Sequence, residues 1–183
     1  MKQQILDILD ELAKWRAVRK LSVESQREGY IRNIMEELGE LAAAIKANNE
    51  HEYIDALCDI MVFAGNCVYK EKFDQAYIPW ETLEELGINT SEAALLKGLL
   101  GNTYDMTYDP TMMIASLYSF CRDLAAKKGY DFFKCMQEVL KQINSRTGAW
   151  NEELKKWVKD TSDEAREKEY QADFDKCKLP QGE

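Results

Sequence analysis

The chain has 183 residues, 45% of them apolar and 31% charged, which is enough to bury one core without metal or disulfide staples and too apolar for a disordered chain. A net charge of −9 and a pI near 4.8 argue against nucleic acid as a partner, because a phosphate backbone selects a basic footprint. They leave room for a phosphate ligand screened by metal ions.

No stretch approaches membrane-spanning length, and the first residues lack the basic flank and apolar run of a signal peptide. A cytoplasmic protein with no membrane partner is therefore expected. The five cysteines (Cys58, Cys67, Cys121, Cys135, Cys177) are odd in number, have no Cys-x-x-Cys spacing and lie mostly in apolar segments. They read as buried reduced thiols rather than disulfides or zinc ligands.

Only three prolines interrupt the sequence and none falls in a long periodic segment, so the class reads as all-α. Ile5, Ile8, Leu9, Leu12 and Trp15, at helical spacing, predict a first helix over 2–19. A second is predicted over 23–48, with Ile31, Ile34, Leu38, Leu41 and Ile45 as its core stripe. After a turn at Asn48-Asn49 a third runs over 50–72, which makes the pair an antiparallel hairpin. Residues 77–89 read as a connector and 91–100 as a short helix capped by Ser91. Asp109-Pro110 opens a fourth long helix that Gly129 ends, and 130–145 is a fifth. The expected architecture is a four-helix bundle with an extra N-terminal helix packed on it, over 1–147. Residues 148–183 show no clear period and read as an irregular C-terminal tail draped on the bundle.

Two acidic patterns stand out. On the second helix, Glu36-Glu37-Leu38-Gly39-Glu40 places Glu37 at the edge of the core stripe beside Asn33 and Glu40. Alone this is an ordinary solvated helix face. The third helix changes the reading, because from Tyr53 to Tyr69 its only polar side chains are Asp55, Asp59 and Asn66, which fall within about 40° of one another on the wheel. A narrow polar line on an otherwise apolar helix points to a buried polar site, where unpaired carboxylates are expensive. With few lysines or arginines on either helix, a cation is the simplest partner, and an all-carboxylate donor set suits Mg²⁺, or Mn²⁺, rather than zinc. A di-iron centre would need Glu-x-x-His on two helices, and the single histidine, His51, lacks that partner.

These residues resemble the MazG-like, dimeric-dUTPase-like all-α nucleotide pyrophosphohydrolases, which carry Glu-Glu-x-x-Glu on one helix and an acidic pair ending in Asp on the next. Here the matching segments are Glu36 to Leu41 and Asp55-Ala56-Leu57-Cys58-Asp59-Ile60. Many members have Glu three residues before the final Asp, where this chain has Ala56; Asp55, four before, resembles the form in some bacterial and phage-type relatives. The resemblance implies Mg²⁺-dependent hydrolysis of a nucleoside triphosphate to the monophosphate and pyrophosphate by a homodimer, against the alternative that the extra helices over 109–145 complete the bundle within one chain. It implies Glu37, Glu40, Asp55 and Asp59 as metal ligands, with Glu36, Glu37, Glu40 and Asp59 as the catalytic set, Glu36 orienting or deprotonating the water. Asn144, Arg146, Lys156 and Lys159 are similar to a phosphate-contacting segment that some relatives place after their last bundle helix, and they read equally as a helix end with solvated cations. Asn66 reads either as a substrate contact or as an interhelical hydrogen bond. Trp15, Trp80, Trp150 and Trp157 are candidates for base stacking, against the plainer reading as packing. The alternative of another class is a catalytically silent helical module that binds a nucleotide or a protein.

Overall fold

The computed structural model describes residues 1–76, 91–101 and 111–180. In chain order these form α1 (Lys2–Val18), α2 (Val23–Ala47), α3 (Glu50–Asn66), α4 (Lys70–Ala76), α5 (Glu92–Gly101), α6 (Thr111–Lys127), α7 (Phe132–Ser145), strands β1 (Gly148–Asn151) and β2 (Lys156–Lys159), α8 (Asp163–Lys168) and a 3₁₀ turn at Phe174–Cys177. The fold is all-α as expected, with one two-stranded sheet among the described residues. The connector over 77–89 and the Asp109-Pro110 helix start lie outside the described residues.

α3 is the axis of the bundle. It packs against α1, α2, α6 and α7, and nearly every residue from Tyr53 to Asn66 is buried. Each large apolar side chain withdrawn from water there contributes about 1.5–3 kcal/mol. A Cβ at Gly65 would stand 2.7 Å from Leu12 Cδ1, so a glycine lets α1 approach α3 this closely. Local chemistry sets the α2–α3 hairpin. The Ser22 hydroxyl accepts from Ser25 N at the start of α2, Asn48 ends it in the left-handed region (φ 50°) that Asn tolerates, and the Asn49 side chain accepts from Glu52 N to start α3.

Two expectations about the helices are corrected. The third helix stops at Asn66 rather than 72, because Cys67 leaves the helical region (φ −89°, ψ 1°) and a tightened last turn closes with Cys67 N donating to Ala64 O and Val68 N to Gly65 O. Apolar periodicity runs on past this break because α4 buries Phe73 in the same core. On α2, Ile31 and Ile45 are not core residues: they are 53% and 51% exposed, with Met35 at 55%. The buried line is Tyr30, Ile34, Glu37, Leu41 and Ala44. The helix has a broad apolar arc, and α3, its main neighbour, covers only one flank of it.

The tail is more regular than its sequence period implies. β1 and β2 pair antiparallel with Trp150 opposite Trp157 and Gly148 opposite Lys159. A side chain at Gly148 would meet the Trp157 ring and the Val158 carbonyl at 2.3 Å. Trp157 lies 4.7 Å from the Arg19 guanidinium, which is also 4.5 Å from the Trp15 ring. Further on, Phe174 and Cys177 enter the core, while Asp131 N donates to Cys177 O and Leu179 N to Gly129 O, both at 2.8 Å. All five cysteines are buried and unbridged, as expected. No helix among the described residues is long and apolar enough to cross a membrane.

Candidate active site

The α2–α3 hairpin brings together the acids of its two helices. Glu37 is 6% exposed, on the buried line of α2, and its Oε2 is buried with no hydrogen-bond partner among the described residues. Burial, then the charges of Asp59 and Glu40, push its carboxyl up to about 8. Asp59 is raised to about 7 by burial and by Asp55, and Asp55 to about 6 by burial and by Glu52; the positive charge of Arg146 partly offsets both shifts. Glu40 and Glu36 are exposed beside them on the outer side of α2. Hydrogen bonds to carboxylates and nearby cations would lower these values. Here burial and like charge prevail, which marks a site short of positive charge.

Among the described residues no three His, Cys, Asp or Glu side chains are close enough to grip one ion as they stand. Four carboxyls with one guanidinium nearby repel and spread. Their chemistry still fits a hard divalent cation: oxygen donors only, mutually repelling, one of them an orphaned buried oxygen. Next to the cluster, a cavity of about 300 Å³ runs along the hairpin between Glu40 and Glu52 over a floor of Ala43, Ala44 and Ala47.

Of the expected phosphate-binding residues, Arg146 is at the carboxylates, immediately after α7. Its Nε donates to Glu169 Oε1 at 2.6 Å, and Lys159 Nζ lies 3.0 Å from Glu169 Oε2. Asn144 is exposed on the last turn of α7. Lys156 and Lys159 lie three apart on β2, and because side chains alternate along a strand they project to opposite faces. Asn66 makes the interhelical bond, not a surface contact. It is buried, and its Oδ1 accepts from Arg16 Nη1 at 2.8 Å between α3 and α1. Trp15 donates Nε1–H to Ile143 O and packs on Arg19 with Trp157, so both rings are structural. Trp150 is half-buried with Lys20 Nζ 5.8 Å from its ring. Trp80 lies outside the described residues. His51 is exposed in the first turn of α3, 3.5 Å from Asp175.

Two residues escaped the sequence reading. Arg19 is buried with no carboxylate partner among the described residues, and its Nη2 donates to Ile143 O and Arg146 O at 3.0 and 3.1 Å; by holding these carbonyls it ends α7 where Arg146 must stand. A basic residue at a helix end ordinarily reads as a solvated complement to the dipole. Glu169 anchors both cations, yet it follows a short polar helix and lies 23 positions from Arg146, a separation that no periodicity reveals.

Fold and carboxylate cluster together resemble those of the MazG-like all-α pyrophosphohydrolases. Residues 19–77 match the family model of phosphoribosyl-ATP pyrophosphohydrolase, which belongs to the MazG-like all-α NTP pyrophosphohydrolase superfamily. The match spans about a third of the chain, α2 to α4 and every carboxylate of the cluster. Neither a curated protein nor a solved structure matches the chain. The family is generally divalent-metal dependent.

Proposed function

We propose that this protein is a cytoplasmic, homodimeric enzyme that hydrolyses the α–β phosphoanhydride of a nucleoside triphosphate, releasing the monophosphate and pyrophosphate with Mg²⁺, or Mn²⁺, as cofactor. The observation that carries the reading is the buried, unpartnered Glu37 oxygen facing Asp55, Asp59 and Glu40. Burying acids against one another is unfavourable unless a cation completes the site.

Glu37, Glu40, Asp55 and Asp59 would hold the ion. When bound, such an ion neutralises the polyphosphate and lowers the pKa of a coordinated water. Glu36, exposed beside Glu37 and Glu40, is assigned to orient the attacking water and take its proton. Arg146 and Lys159 face the phosphates from the α7–hairpin side, where charge-assisted hydrogen bonds offset the negative charge of the bound polyphosphate. The homodimer contact is assigned to the exposed flank of α2, Ile31, Met35 and Ile45.

The test is a panel of ribo- and deoxynucleoside triphosphates, with phosphoribosyl-ATP included because of the family match, assayed for pyrophosphate and orthophosphate separately. Pyrophosphate release from at least one member is expected. It should fall by at least about a hundredfold in Asp59→Asn and Glu40→Gln and vanish with chelator, since removing a metal ligand removes transition-state charge stabilisation. Orthophosphate as the sole product overturns the reaction, and no turnover under any condition leaves the silent binding module.

A further inference from the structure

The two cations offered to the phosphates share one anion. Glu169 takes Arg146 Nε at 2.6 Å on one oxygen and Lys159 Nζ at 3.0 Å on the other, and its side chain is 9% exposed. It is not a loose surface pair. The next residue locks the backbone, with Tyr170 N donating to Ser145 Oγ at 2.8 Å and Tyr170 OH donating to Glu138. Glu169 is thereby pinned against the residue preceding Arg146. On its other side Arg146 acts electrostatically on Asp55 and Asp59, so one guanidinium stands between the acids of the cluster and an acid of the tail.

From this geometry we infer that Glu169 is a positioning residue of the site: it holds Arg146 and Lys159 together as a phosphate clamp and restrains Arg146 from collapsing onto Asp55 and Asp59. An arginine freed in that place would pair with those carboxylates and compete with any divalent cation for them. Two cations on one carboxylate leave a net positive charge for a polyphosphate, and the shared anion fixes where that charge sits. The tail after the hairpin therefore belongs to the site although it contributes no group to the bond cleaved.

The inference rests on the pyrophosphohydrolase reading for its nucleotide arm only. Mn²⁺ binding to the nucleotide-free protein, measured by calorimetry at pH 8, is expected to weaken about tenfold in Glu169→Gln, the scale of one partly buried charge pair. It should recover in Glu169→Gln/Arg146→Gln, where the competing cation is gone. Arg146→Gln alone should bind Mn²⁺ more tightly than the parent protein. In steady state with the nucleotide that the parent cleaves, Glu169→Gln should raise KM about tenfold with kcat changed less than about threefold, as for a group that binds substrate and transition state alike. Unchanged Mn²⁺ affinity in either single variant, with unchanged circular dichroism, overturns the inference and leaves Glu169 a tail anchor. If the parent cleaves no nucleotide but the Mn²⁺ series behaves as stated, the reaction fails and the positioning role stands.

Discussion

Glu37 concentrates the electrostatic conflict of the site in one side chain. Its carboxyl is raised from 4.5 to about 8 by burial and by Asp59 and Glu40, and the sign of the consequence follows from linkage. Below about pH 4.5 the group is protonated in folded and unfolded chains alike and costs nothing. Between there and about pH 8 the unfolded chain ionises while the folded chain resists, so stability falls as pH rises. Asp55, at about 6, and Asp59, at about 7, add to the same limb. With chelator present, urea unfolding should show the protein weaker at pH 8 than at pH 5. Glu37→Gln should recover about 1–3 kcal/mol at pH 8 and nothing at pH 4. Saturating Mg²⁺ should flatten the limb in the parent protein, with Tm at pH 8 raised by about 5–10 °C at a hundredfold excess over Kd. A chelated protein equally stable at both pH values would refute the buried acid cluster.

Among the elements, the α2–α3 hairpin was the part most legible in advance. Ser22, Asn48 and Asn49 are local signals that act within one turn, so the bounds of α2 and the start of α3 came out within a residue. The tail was not legible, because what orders it is distant. Glu138 on α7 accepts from Lys141 Nζ at 2.5 Å, Asp173 N at 3.2 Å and Tyr170 OH. Burial acts to raise its carboxyl, but these hydrogen bonds prevail and hold it down near 2. Its stabilisation is therefore present above about pH 4.5 and is lost as pH falls toward 2. Hydrogen exchange should show the amides of Tyr170 and Asp173 losing protection over that range before α3 does. Glu138→Gln should cost about 1–3 kcal/mol at pH 7 and remove this acid-dependent step. Simultaneous loss of protection in tail and core would count against a separate latch.

At the scale of the molecule, α2 presents three flanks: one buried on α3, one carrying Glu36 and Glu40, and one with Ile31, Met35 and Ile45 exposed. The positions 31, 35, 38, 42 and 45 are spaced by four and three residues and read nearly the same in both directions about Leu38. This is what a two-fold antiparallel pairing of two α2 helices requires. Sedimentation velocity at micromolar concentration should find a dimer that Met35→Glu converts to a monomer with unchanged helix content. A monomeric parent protein would refute this assignment of the flank.

What the sequence determined by itself is what short-range physics governs: the all-α class, the long helices, the hairpin and the polar line of Asp55 and Asp59 on an apolar helix. Helical period and capping act over a few residues, so they can be read from a few residues. Tertiary structure decided which flank of α2 is core, that Asn66 is spent on Arg16, that Lys156 and Lys159 part company on β2, and that Glu169 of the tail gathers Arg146 and Lys159. Each of these is settled by contacts between positions far apart in the chain, or by a neighbour that covers one apolar flank and leaves another bare, and no local pattern encodes either.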